Sequence, residues 1–231
     1  MPANLPFELP LHRAQIWRRA IVLIALFVAL ALLVGSDPLH EAFMTVLDAS
    51  ESIIASHPLL GACLFIAAAA ISAMLAFVSV AAIVPVALVT WGGFFTVVLL
   101  WLGWTLGGLL AYGIGRWLGR GVVAWLTSNS LLLRRLEKRI GHDTPFVLVL
   151  LFQLALPSEL PGYVLGIAKY SLPRYLLSLG IAELPYTLAT VYLGESFVER
   201  KGIALLIAGV ALALFSIATF YVLRKRLAQS K

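Results

Sequence analysis

Two carboxylates and two guanidinium groups stand at the edges of, or inside, long apolar stretches, and these are the side chains best able to bind or move a charged partner. Glu159 lies in the run Pro157-Ser158-Glu159-Leu160-Pro161-Gly162, and Glu183 stands two residues before Pro185. Either carboxylate is a candidate site for a proton or a cation. The structural alternatives are a cap on a broken helix for Glu159 and, for Glu183, a bond to backbone groups freed by Pro185 or an ion pair with Arg116. Arg116 and Arg120 close an apolar segment. A planar guanidinium matches phosphate with two parallel donors, whereas a snorkelling anchor needs only the charge at the interface. Gln153 adds an uncharged polar group in the neighbourhood of Glu159. His12, His40, His57 and His142 are scattered without metal-ligand spacing, and no phosphate loop or nucleophile elbow is present. Neither an enzymatic activity nor a metal or cofactor is expected.

These groups need a scaffold, and composition narrows it. Of 231 residues, 61% are hydrophobic and 12% charged, with a mean hydropathy of +0.99. Soluble domains run at roughly 45–50% apolar and about 25% charged, and a chain this short has too little interior to hide the excess. Lipid must be the solvent for much of it. The net charge of +6 comes from 17 Lys and Arg that all lie between or beyond apolar segments. That placement fits loops beside an anionic leaflet rather than nucleic acid. Cys63 is the single cysteine, so no intrachain disulfide forms.

The elements follow from the charge-free runs. Ala20–Gly35, behind Arg13, Arg18 and Arg19, is expected to be an uncleaved first span; a cleaved signal peptide is the alternative, but no convincing A-x-A site follows. From Pro58 to Gly115 there are 58 residues without Asp, Glu, Lys, Arg or His. One span needs about 20 residues, so two spans leave a surplus. Pro85, Gly92 and Gly93 mark where it falls. The run therefore reads as a span over Leu59–Val84, a re-entrant hairpin from Pro85 to about Leu100, and a span from about Trp101 to Trp117. Gly103, Gly107, Ala111, Gly115 and Gly119 recur every fourth residue, a helix face small enough for close packing. Residues 116–143 are basic, with an apolar stripe of Leu132, Leu133, Leu136 and Ile140, as an interfacial helix requires. Thr144–Ser158 is uncharged but short. Its breaks at Pro157, Pro161 and Gly162 predict a second hairpin returning through Tyr163–Ala168. Two spans, Tyr175–Leu193 and Gly202–Leu223, precede a basic tail.

The basic loops belong in the cytoplasm. The second hairpin then enters from that side and the first from the opposite side, an arrangement like the inverted repeats of transporters. Five spans put the N-terminus outside whereas Arg13, Arg18 and Arg19 favour inside, so the orientation of the first span stays open.

The series Pro85…Gly92-Gly93-Phe94-Phe95…Gly103…Thr105-Leu106-Gly107…Gly115-Arg116-Trp117-Leu118-Gly119-Arg120 resembles the first half of the DedA superfamily, also called the SNARE-associated or VTT domain. Pro157, Pro161, Gly166, Pro185 and Gly194 resemble its second half, and the likeness covers roughly residues 58–200. The resemblance implies an all-α polytopic membrane protein with about five to six transmembrane helices and two opposed re-entrant hairpins. Residues 1–57 would form the N-terminal segment with the first span and an acidic loop, 58–200 the membrane domain, and 201–231 the last span and tail. It also implies translocation or scrambling of a phospholipid or lipid-linked phosphate carrier, in a bacterial inner membrane, with membrane lipids as partners. A homo-oligomer is compatible with the sequence. The alternatives are a proton- or ion-coupled transporter of a small solute and a non-transporting envelope-maintenance protein. The acidic residues that some relatives carry around the first hairpin are absent from 58–115, and Gln153, Ser158 and Glu159 stand where an arginine is common in the second.

Two outcomes follow. In a Cys63→Ala background, cysteines at Arg135 and Ala228 should both be shielded from an impermeant thiol reagent in intact cells; labelling of either from outside reverses the topology. Glu159→Gln should leave abundance normal while transport or complementation falls strongly. Full activity would leave Glu159 as a cap.

Overall fold

The structure, a computed structural model, describes residues 45, 57–74, 80, 83–126, 144–156, 159–199 and 201–229. The expected first span at Ala20–Gly35 and most of the basic interfacial helix lie outside these residues. The described chain forms six helices and no strand: α1 (Pro58–Met74), α2 (Val84–Leu126), α3 (Phe146–Ala155), α4 (Glu159–Ile167), α5 (Leu172–Val198) and α6 (Gly202–Gln229). Val84–Gly119, Leu172–Val198 and Gly202–Leu223 are long and apolar enough to cross a bilayer. The last two contain the spans expected at Tyr175–Leu193 and Gly202–Leu223. α3 and α4, of 10 and 9 residues, reach only about 15 Å each, half of a hydrocarbon core.

Proline and glycine act at different places from those expected. α1 ends at Met74 rather than at Val84. Pro85 does not break a helix; it is the second residue of α2, where a missing N–H costs nothing because the first turn has no carbonyl to bond. The first break inside α2 falls on Gly92, with φ 76° and ψ 168°, and Gly93 resumes the helix, so the span expected from Trp101 starts well before that residue. That backbone conformation is open essentially only to glycine. Gly119 adopts it too, at φ 70° and ψ −164°, and a Cβ there would meet open space. Gly119 is therefore a second break and not part of the packing row. Pro161 and Gly162 lie within α4. Proline is tolerated there because it falls in the first turn, and the chain leaves helical geometry earlier, at the extended Leu156.

The rest of the glycine row brings backbones together, but against two partners. A Cβ on Gly103 would lie 2.4 Å from the Ala69 Cβ, and one on Gly107 would lie 2.4 Å from the Ala70 carbonyl oxygen, both on α1. Further along α2, a Cβ on Gly115 would sit 2.4 Å from the Tyr163 carbonyl oxygen of α4. α4 answers with its own glycines: Gly162 faces Ala111, and Gly166 faces the Tyr112 carbonyl. α2 thus lies between α1 and α4 and also packs extensively on α5. α3, α5 and α6 pack on one another. Outside these contacts α5 and α6 leave Leu177, Leu188, Ile203, Ile207 and Leu214 exposed, a surface suited to lipid and not to water.

Aromatic side chains complete the joints by donating to carbonyls of neighbouring helices. Trp101 Nε1 donates to the Gly180 carbonyl at 2.9 Å, Tyr175 Oη to that of Gly108 at 2.6 Å, and Tyr163 Oη to that of Met74 at 3.1 Å. The Tyr112 and Tyr175 rings stack with centroids 4.6 Å apart.

Gly107→Ala should lower the unfolding temperature in detergent markedly, since overpacking a close contact costs about 1–3 kcal/mol. Gly107→Leu should abolish folded material. Gly113 is the control: a Cβ there meets nothing within 4 Å, so Gly113→Ala should be neutral or slightly stabilising. Equal behaviour of Gly107→Ala and Gly113→Ala would show that the row does not set the packing.

Candidate functional site

Among the described residues, polar side chains converge in two places in particular, one between helices and one on the outer face. The first is a cavity of about 350 Å³ lined by Trp104 of α2, Gln153 and Ala155 of α3 with Leu156 just past its end, Ala182, Glu183 and Tyr186 of α5, and Ser216 of α6. It joins two residues singled out in the sequence. Gln153 and Glu183 are each only 5% exposed. Glu183 lies 11 residues into α5, about 16 Å along the helix, within the part able to span a bilayer.

The hydrogen bonds around the cavity fix which way its polar groups face. Ser178 Oγ donates its one proton to the Tyr175 carbonyl at 2.9 Å, so towards Gln153, 2.8 Å away, it can only accept. The Gln153 NH₂ must therefore be the end that meets Ser178. The opposite end, Oε1, is buried and accepts no hydrogen bond. Tyr186 Oη donates its proton to the Leu154 carbonyl, and the Ser216 hydroxyl hydrogen-bonds the same Tyr186 oxygen. Thr187 Oγ1 turns back onto the Glu183 carbonyl at 2.8 Å, satisfying a backbone oxygen near the interruption made by Pro185.

The second place is a groove of about 600 Å³, walled by Leu109, Leu110, Ile114 and Leu118 of α2 and by Leu172, with Arg116, Lys169, Tyr170 and Ser171 among its polar lining. Arg116 Nη1 donates to Tyr112 Oη at 2.8 Å, and Tyr112 Oη donates to the Tyr170 carbonyl. This relay ties the end of α2 to the α4–α5 turn. Trp117, 85% exposed, flanks the groove.

Lys169 owes its position to how α4 ends. The Tyr170 N–H bonds the Leu165 carbonyl and the Lys169 N–H bonds that of Gly166, both at 3.0 Å. This is a Schellman cap whose left-handed residue is Lys169, at φ 54°. Glycine is the residue that fits such a place without cost, and a β-carbon there is disfavoured by about 1–2 kcal/mol. The turn's hydrogen bonds hold a lysine there all the same, and it lines the groove. Beside it, Tyr170 is fully buried and its hydroxyl has no hydrogen-bond partner. Burial pushes the Tyr170 phenol up from its usual pKa, with Arg174 opposing, so the group remains a proton donor at neutral pH.

The structure thus separates Arg116 from Glu183: the one lines the groove and the other the cavity. Glu159 opens α4, but its side chain, that of Arg120 and all of Pro157 fall outside the described residues. Sequence reasoning missed Lys169, Tyr170, Tyr186, Trp104 and Ser216. Only Lys169 left a signal, as the basic residue that follows Gly166 and Ala168 where α4 stops.

The VTT domain description matches residues 79–196, just over half of the chain, and takes in both places except Ser216. No curated protein and no solved structure matches. Together with three helices long and apolar enough to cross a bilayer, the match makes the chain an integral membrane protein of the VTT-domain family, the DedA or SNARE-associated proteins.

Proposed function

We propose that the protein moves a phospholipid or lipid-linked phosphate carrier across the bilayer, with the groove as the place where the headgroup enters. The observation that carries this reading is the groove's mixed lining. Arg116, Lys169 and the unpartnered Tyr170 hydroxyl supply donors for an anion, and leucine and isoleucine walls suit its hydrocarbon. A soluble anion would need no apolar wall, and a lipid tail alone would need no cations. The reading is of transport and not catalysis.

Two opposed re-entrant hairpins belong to the same proposal. For the first, α2 breaks at Gly92, and Val84 and Ala87 before the break share a core cluster with Leu100 after it. For the second, Val149 and Phe152 of the short α3 pack with Val164 and Leu165 of the short α4. Half-length helices meeting inside protein are what a bilayer tolerates where backbone is broken. We place the protein in a bacterial inner membrane with its basic tail cytoplasmic.

Proteoliposomes containing acyl-labelled phosphatidylglycerol test the reading through access of an impermeant quencher to the inner leaflet. Protein should expose the inner label without a pH gradient. Arg116→Ala with Lys169→Ala should cut the rate at least about tenfold, since hydrogen bonds to charged groups are each worth about 1.5–3 kcal/mol. Tyr170→Phe should cut it less. Strict dependence on a pH gradient would instead support a coupled solute transporter, and no movement beyond protein-free liposomes would leave an envelope-maintenance role.

A further inference from the structure

α5 begins at the groove: Ser171 is its N-cap, and Ser171 and Leu172 both line the wall. The first turn of a helix carries N–H groups with no carbonyl to bond, and an N-cap serine ordinarily accepts from one of them. Here the Ser171 hydroxyl makes no such bond, and Pro173 has no N–H to satisfy. Regular bonding starts with the Tyr175 N–H, which reaches the Ser171 carbonyl at 2.9 Å, so the amides of Leu172 and Arg174 have no intrahelical partner. The positive end of the helix dipole lies at the same point. Two further observations point to a ligand. Tyr170, the residue before the cap, lines the groove, is fully buried and has a hydroxyl with no hydrogen-bond partner, whereas buried polar groups are nearly always satisfied. The cations beside it are unpaired as well: among the described residues none of Arg116, Lys169 and Arg174 is in an ion pair. Arg174, exposed in the first turn of α5, is close enough to act on the Tyr170 phenol by its charge. Arg116 gives one N–H to Tyr112 Oη and keeps the rest of its fork.

We infer that a phosphate group binds at the amino end of α5, held by the Ser171 hydroxyl and the first-turn amides of α5 together with the charges of Arg116, Lys169 and Arg174. This deepens the groove reading by setting the phosphate against a helix end, and it rests on that reading only for the claim that a lipid brings it. Amides directed along a helix axis and a positive dipole end form a general seat for an anion. Guanidinium groups meet phosphate oxygens in pairs, and phosphate has more acceptor oxygens than a carboxylate to offer so many donors. The fold makes no evident use of these side chains: the Ser171 hydroxyl leaves its helix uncapped, and the Arg174 side chain is exposed. The phosphate can arrive on a lipid headgroup or as the free ion.

Thermal unfolding of the purified full-length protein in detergent tests the seat. Sodium phosphate should raise the unfolding temperature saturably, as a ligand specific to the folded state does, above the gradual rise that an excluded salt gives. Sodium acetate at equal ionic strength should give less. Ser171→Asp separates a binding role from a structural one. Asp caps a helix as well as Ser does and suits the positive end of the dipole, so the unfolding temperature without phosphate should hold or rise. Its carboxylate would fill the seat and repel an anion, so the saturable phosphate rise should vanish. Arg174→Gln should weaken the apparent affinity at least about tenfold, the worth of one charged hydrogen bond. Lys225→Gln, an exposed cation of the α6 tail, should leave it unchanged. Proteoliposomes then identify the source. If Ser171→Asp slows acyl-labelled phosphatidylglycerol at least about tenfold, the phosphate arrives on a lipid. If that variant moves the lipid like the parent but has lost the phosphate rise, the ligand is the free ion. No lipid movement by the parent would defeat the groove reading, while the phosphate rise and its loss in Ser171→Asp would still decide this one. The inference is overturned if phosphate gives the parent no saturable rise, if acetate matches phosphate, if Ser171→Asp keeps the rise, or if Lys225→Gln loses it as Arg174→Gln does.

Discussion

Contact between the backbones of α2 and α4 is the constraint on which the rest of the structure depends. Lipid offers no hydrophobic reward for pressing one apolar helix on another, so association in a membrane rests on close packing and hydrogen bonds. Here both helices contribute small residues to one seam: Ala111 and Gly115 from α2, Gly162 and Gly166 from α4. α4 is only nine residues long, too short to hold itself in a bilayer. Its position comes from that seam and from Tyr163, which reaches α1. Once α4 is fixed, the Schellman turn after it is fixed as well, and that turn delivers Lys169 and Tyr170 to the groove. The groove is thus a consequence of the glycines packed behind it.

Aromatic donors answer a second demand of the same solvent. A carbonyl beside a helix break or a helix end has no water to bond to within hydrocarbon, and leaving it bare costs several kcal/mol. Tyr163 bonds the last residue of α1, Tyr186 bonds Leu154 near the end of α3, and Tyr112 bonds Tyr170 just past α4. Each of these carbonyls lies where regular helix is stopping, and each donor comes from a different helix. The bonds therefore cap and cross-link at once. Two of them also shape the polar places: Tyr186, hydrogen-bonded in turn by Ser216, stands beside the cavity, and Tyr112 holds Arg116 over the groove.

How much of this was legible in the sequence depended on whether a residue's role is local. The membrane class and two long spans could be read because apolar length is a property of a segment. Gln153 and Glu183 stood out because polar groups amid apolar ones need a reason. The four-residue row of small residues also showed, but a row has no label for its partner, and α1 takes its first half and α4 its second. Glycine in the row and glycine at a break look alike in sequence, which is why Gly119 was misjudged: only its positive φ tells them apart. Proline misled for a related reason. Pro85 and Pro161 fall in first turns, where proline begins a helix as readily as it ends one elsewhere. The groove was the least legible part, since Lys169 joins Arg116 only through a chain reversal whose geometry rests on tertiary packing.

The two sites differ in polarity for a reason that lies in their walls. Among the described residues of the groove, the charged and orphaned groups are donors: guanidinium, ammonium and phenol. In the cavity Ser178 and Tyr186 give their protons to backbone carbonyls, and the Gln153 carbonyl oxygen is left without a donor. Had Ser178 not given its proton to the Tyr175 carbonyl, the Gln153 amide could have turned either way. A serine three residues from a tyrosine on α5 thus decides which end of that amide is left without a partner. It does so with no charge of its own, by fixing the orientation of one amide. In a low-dielectric setting such a commitment weighs heavily, because neither a mismatched ligand nor a mismatched side chain can borrow a hydrogen bond from water.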